Sequence, residues 1–340
     1  MPVRTSIIPQ VIALILFLIL FDNRSGEGGA PNRERLYVVS ESSNTLSVFD
    51  GTDFRELATL ATGYHPRDVT VDPFGRYIYV ASLFTKASDD VVDVFDAATH
   101  AIIATLIAGH QPTEVVSNHA GNLLYVTSEA SPRLSRFSVP GFKALEGLKL
   151  GGKGAHGAAI SPDDRYLLVA NRHSGDISLI DNADQTISRI PLPGGASPGA
   201  VGFGEDHLTA YVSDAGLNRV YQIDIPNRRV AGFLPVAAGP ASVGVAPNRP
   251  VLYIPCFDAD AVYKIDSAHW KISNILRIGK GPKGIAFSGD GRTAYLSLLG
   301  EESGGKIVLL DTETDQIRET FPAAPLPVAL ALWPGKNRGW

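Results

Sequence analysis

Beyond the first thirty residues the chain is a succession of short apolar runs cut by Gly, Pro, Asn and Asp, and no stretch keeps a helical period. The runs are 4 to 7 residues long, rich in Val, Ile, Leu and Tyr, and many alternate apolar with polar positions. Turn signals such as "DPFG", "SPDD" and "SGDG" separate them. The pattern predicts antiparallel β-strands throughout. It also repeats. The segments "LYVVS", "IYVAS", "LYVTS", "LLVAN", "AYVSD", "LYIPC" and "AYLSL" place Tyr37, Tyr79, Tyr125, Leu168, Tyr211, Tyr253 and Tyr295 in register, at spacings of 42, 46, 43, 43, 42 and 42.

Two further markers keep the same register. Asp50, Asp96, Asp181, Asp224, Asp266 and Asp311 end the following strand, with Ser138 in the third copy. Pro66, Pro112, Ala155, Pro198, Pro240, Pro282 and Pro327 open a later one. A four-stranded unit repeated seven times at this period predicts an all-β, seven-bladed propeller. The repeat begins at the second strand of a blade, "ERLYVVS", and ends on an orphan first strand, "PVALALW". The two ends are expected to share one blade and close the ring, which removes an exposed sheet edge.

The units resemble the YVTN family of seven-bladed propellers over residues 34 to 334, through "IYVAS", "LLVANRHSGDISLID" and "AISPDDRYLLVAN". No Trp-Asp dipeptide occurs, which disfavours ordinary WD40 repeats. Proteins with this fold include lactone hydrolases, subunits of periplasmic quinoprotein and copper oxidoreductases, surface-layer modules and accessory proteins of quinone-dependent catabolism. The resemblance therefore implies a binding or accessory platform, for a partner protein or a small ligand at the central funnel, beside a periplasmic oxidoreductase. The alternative it implies is an enzyme: a lactonase-like hydrolase first, a subunit of a quinone-dependent dehydrogenase second. It specifies no cofactor.

Composition changes the picture in two places. "VIALILFLILF", Val11 to Phe21, follows Arg4 and precedes a polar "DNRSGEGGAPN". That is the layout of a signal peptide over residues 1–30 cleaved after Ala30, because the apolar core of 11 residues falls short of the about 20 that span a bilayer. The alternative is an uncleaved anchor, the one route to a membrane. Residues 31–340 then form a single exported domain, periplasmic or secreted. The formal net charge is −5 with no basic run, which argues against nucleic acid as a partner. The lone Cys256 has no partner for an internal disulfide.

Three motifs imitate active sites. "GASPG", Gly195 to Gly199, matches a serine-nucleophile elbow, but the residue after Ser197 is Pro198, which has no N–H for an oxyanion. "GKGAHG" and "GKGPKG" match a dinucleotide fingerprint without the βαβ context it needs. More suggestive are the residues one past each strand-start marker, at the expected funnel mouth: Arg67, Thr113, His156, Gly199, Ala241, Lys283 and Val328. Arg67, His156 and Lys283, joined by Arg172 and His173 from the second-to-third strand loop of the His156 blade, are the candidate ligands of a small anion. If the protein is an enzyme, His156 and His173 are its catalytic candidates, with His156 as base. The alternatives are solvated cations, and a turn at Ser174 to Asp176 chosen for backbone shape. His65, His110 and His156 with Asp68 and Glu114 are candidate zinc or copper ligands. The longer loops "LFTKASDD" and "LLGEESGG" suit a rim for a partner protein.

Overall fold

The computed structural model describes residues 33–84, 90–300 and 304–335. The proposed leader and the central parts of the two long loops lie outside the described residues. The marker tyrosines sit on strands such as Arg35–Ser40, Leu123–Ser128 and Val251–Cys256, buried at every position after the first. These strands read as continuous apolar runs because both of their faces pack on neighbouring sheets. Tyr79, Val92 and Leu106, for example, share one cluster with Val115, Val126 and Phe137 of the next blade. The fourth strands lie at the rim, and Glu56–Ala61 alternates there between exposed and half-exposed positions.

Seven antiparallel four-stranded sheets result. Their inner strands are Pro327–Trp333, Tyr64–Val71, Pro112–Ser117, Ala155–Ile160, Pro198–Phe203, Gly244–Val245 and Pro282–Phe287, which we use to number blades 1 to 7. Each inner strand contacts the next, and the last contacts the first, so the sheets form a closed ring. In blade 1 the strand Pro327–Trp333 pairs with Arg35–Ser40, as the orphan ends of the repeat require. Blade 6 departs from the uniform repeat. Its inner ladder holds only Gly244 and Val245, with an isolated bridge from Pro240 to Cys256.

The marker aspartates have a structural task. Asp96 accepts the N–H groups of Ala98 and Thr99, and Asp266 those of Ala268 and His269, fixing the turn between third and fourth strands. Cys256 is fully buried, and burial pushes its thiol up to about 12, so it acts as an apolar filler and not as a nucleophile. Among the described residues no helix is long and apolar enough to cross a membrane.

Candidate funnel site

The ladder between first and second strands slips at one recurrent place. The slip falls between Pro66 and Asp68, Pro112 and Glu114, Ala155 and Ala158, Pro198 and Val201, and Pro282 and Ile285, and it skips Val328 in blade 1. A bulge of this kind leaves an extra residue without a ladder partner and re-aims its side chain. The bulged residues Arg67, Thr113, His156, Gly199, Lys283 and Val328, with Ala241 of blade 6, are the ones that the repeat register picks out, and they line the axis.

A second tier stands above them, four residues past each tyrosine marker: Glu41, Leu83, Glu129, Arg172, Ala215, Phe257 and Leu299. Six of these are tethered by their backbone. The N–H groups of Glu41, Glu129, Arg172, Ala215, Phe257 and Leu299 donate to the carbonyls of Leu326, Gln111, Gly154, Ser197, Gly239 and Gly281 at 2.7–3.2 Å. Apart from Arg172, sequence reasoning missed this tier, although the constant offset from the marker was there to find it.

The tiers enclose a mouth cavity of about 590 Å³, whose walls include Arg67, Glu129, His156, Arg172, Phe257 and Lys283. Below it a bore of about 340 Å³ runs past Asp68 and Glu114. Arg67, Thr113, His156, Ala241 and Lys283 line both spaces and form the collar between them. Carboxylates balance the cations unevenly. Arg67 lies 3.5 Å from Glu41, whereas among the described residues the Arg172 guanidinium is partnered by the Ser197 hydroxyl at 3.4 Å. Among the described residues, neither the Lys283 ammonium nor the His156 imidazole has a hydrogen-bond or ion-pair partner. Burial, then Arg172, then Arg67 and Lys283 push His156 down to about 4 against a pull from Glu129, so its ring is neutral at pH 7. Burial also lowers Lys283, assisted by Arg67 and Arg172 and opposed by Glu41. Such mutual repulsion means that the cationic groups face one another across a single space.

The remaining candidates separate. His173 does not line the cavity itself: it packs over Gly154 and meets the cavity residue Glu129 at 2.9 Å. His65, with φ 48°, lies within the strand Tyr64–Val71 and 3.7 Å from Glu41, while His110 is 85% exposed beside Asp90. Asp68 and Glu114 point down the bore and accept the N–H groups of Val115 and Ala158 in the next blades, at 2.9 and 3.1 Å. Burial raises both carboxyls well above the usual range, Glu114 further because Asp68 is near. Among the described residues no three His, Cys, Asp or Glu side chains gather as a metal site. The zinc or copper set of His65, His110, His156, Asp68 and Glu114 is therefore not assembled: its first two histidines lie beside Glu41 and Asp90, and its carboxyls stitch inner strands. Ser197 lines the cavity, but its N–H is committed to Asp214 at 2.7 Å.

A YNCE-like β-propeller family model matches residues 41–251. The chain belongs to that family. No curated protein matches it significantly. Solved structures share the family's ring at low identity. Dihydro-heme d1 dehydrogenase NirN, in complex with DHE, superposes with a TM-score of 0.66 at 18% identity, covering 91% of this chain and 77% of that one. Kuenenia stuttgartiensis hydrazine synthase gives 0.67 at 19%, covering 78% and 89%. A candidate 6-phosphogluconolactonase from Bacteroides fragilis gives 0.73 at 15%, covering 89% and 98%. At such identities the likeness concerns the fold alone.

Proposed function

We propose that the protein is a binding propeller whose funnel mouth holds a small organic anion. The observation that carries this reading is the convergence of Arg67, Arg172 and Lys283 on one cavity, with the Lys283 ammonium lacking an acceptor among the described residues. A cation held in a partly desolvated cavity without an acceptor is destabilised until an anion supplies one. The neighbours on this ring are named for dehydrogenase, synthase and lactonase chemistries, so the site and not the fold has to carry the function.

Calorimetric titration with inorganic phosphate tests the proposal. Binding by the native protein should weaken at least about tenfold in Lys283→Gln. A native protein that takes up no phosphate, or a variant that binds it equally, overturns the reading. A second reading rests on His156, whose neutral ring, without a hydrogen-bond partner among the described residues, is in the right state to act as a base beside cations that could stabilise an oxyanion. Lactone hydrolysis lost in His156→Asn would support it.

We also infer export from the leader. Mass spectrometry of the processed protein should find Pro31 as the first residue. A retained Val11–Phe21 segment would make the protein a membrane-anchored one.

A further inference from the structure

The two tiers are not uniform around the ring. Blades 2 to 4 line the cavity with Arg67, Thr113, Glu129, His156 and Arg172, a polar arc broken only by Leu83. Blades 5 and 6 present Gly199, Ala215 and Ala241, whose small side chains widen the cavity on that side. The widened side ends at Phe257, which is 40% exposed on the short 3-10 turn Phe257–Ala259. Its ring is held in place. A Cβ on Gly281, which has φ +61°, would fall 2.8 Å from Phe257 Cε2 and 3.4 Å from Leu299 Cβ, so this glycine lets the two apolar side chains meet in one wall. Lys283 follows two residues later. Phe257 and Leu299 thus give the widened end of the cavity an apolar wall against which a flat apolar group can bury surface.

From this asymmetry, and resting on the anion reading above, we propose that the ligand is a monoanion with a flat apolar body. Its head lies on the collar among Arg67, His156, Arg172 and Lys283. Its body lies along blades 5 and 6 against Phe257 and Leu299. Asp258 borders the same end of the cavity and opposes a second negative charge there. The 590 Å³ of the mouth suits a ligand of one or two fused rings plus substituents.

Calorimetry with 2-naphthoate, acetate and inorganic phosphate tests the class. Naphthoate should bind at least about tenfold more tightly than acetate. Phe257→Ala should remove most of that advantage, and Ala215→Trp, which fills the widened side from an exposed position, should do the same. Both substitutions should weaken naphthoate binding far more than phosphate binding. Both sites are at the surface, and unchanged far-ultraviolet circular dichroism would show that the ring is intact. Lys283-dependent phosphate binding combined with no preference for naphthoate, or with a preference that survives both substitutions, overturns the apolar-body proposal and leaves the anion site standing. Loss of Lys283 dependence for both anions overturns the anion site itself.

Discussion

His156 is neutral because it is buried among cations, and that makes the site's affinity depend on pH in a calculable direction. An anion seated on the collar offsets the repulsion from Arg172, Arg67 and Lys283 and raises the imidazole pKa from about 4. Binding then takes up part of a proton, so affinity rises as pH falls. If the anion lifts the imidazole by about two units, sulfate should bind about tenfold more tightly at pH 5 than at pH 7. Asp68 and Glu114, raised by burial, also lose charge on acidification and act in the same direction. His156→Asn separates the contributions, because it should abolish the histidine part and leave that of the carboxyls. Titrations that show equal affinity at both pH values, or no change in the variant, would remove His156 from the anion site. Without ligand the sign reverses for this residue: a base with a depressed folded pKa takes its proton more readily when unfolded, so the stability that the neutral His156 contributes is lost as pH falls from about 6.5 toward 4, while the raised Asp68 and Glu114 act in the opposite direction.

The bulge at the start of six of the seven inner strands joins the fold to the site. It turns one residue in each of those blades toward the axis, and it works only where neighbouring inner strands can approach closely. Beside His156, an ideal Cβ on Gly157 would stand 2.0 Å from the Gly199 carbonyl oxygen of the next blade. Gly157→Ala should therefore cost about 1–3 kcal/mol in chemical denaturation and displace His156 from the collar. Gly194→Ala, where a Cβ meets nothing within 4 Å, should be nearly neutral. Equal midpoints for the two variants would show that the collar is loosely packed. The same bulge explains what the sequence could reveal. The collar was legible because its residues stand at a fixed offset from a proline or alanine that opens a strand. The upper tier was obscured because it begins loops of changing composition, where Glu41, Leu83 and Phe257 share only their distance from a tyrosine. Arg172 and His173 looked like a pair, yet adjacent residues beyond a strand end diverge, one into the cavity and the other toward Glu129. The histidines of the metal set were misleading because adjacency of strand starts says nothing about side-chain direction. His65 lies beside Glu41 and His110 beside Asp90, and neither lines the mouth cavity or the bore.

Closure of the ring determines whether there is a funnel at all, and one strand holds it. Pro327–Trp333 supplies the inner strand of blade 1, buries Val328, Leu330, Leu332 and Trp333 to 9% exposure or less, and pairs along the whole of Arg35–Ser40. Burial of four such side chains contributes about 6–12 kcal/mol. That is comparable to the whole stability of a typical domain, about 5–15 kcal/mol. Further contacts depend on the same junction, because Ser40 Oγ bonds the Ala324 carbonyl at 3.2 Å and the Glu41 N–H bonds that of Leu326 at 2.9 Å. A chain ending at Leu326 should therefore lose its cooperative thermal transition and expose the edge of Arg35–Ser40 to pairing with other chains, so it should aggregate. It should lose phosphate binding as well, although Arg67, Arg172 and Lys283 are all retained, because a collar exists only in a closed ring. A circular permutant that keeps every strand but opens between Ala61 and Tyr64 should restore both properties. If the truncated chain still melts cooperatively near the native midpoint, blade 1 contributes far less than its buried surface implies. If the permutant fails while the native order succeeds, the order of the strands matters to folding beyond the closure of the ring.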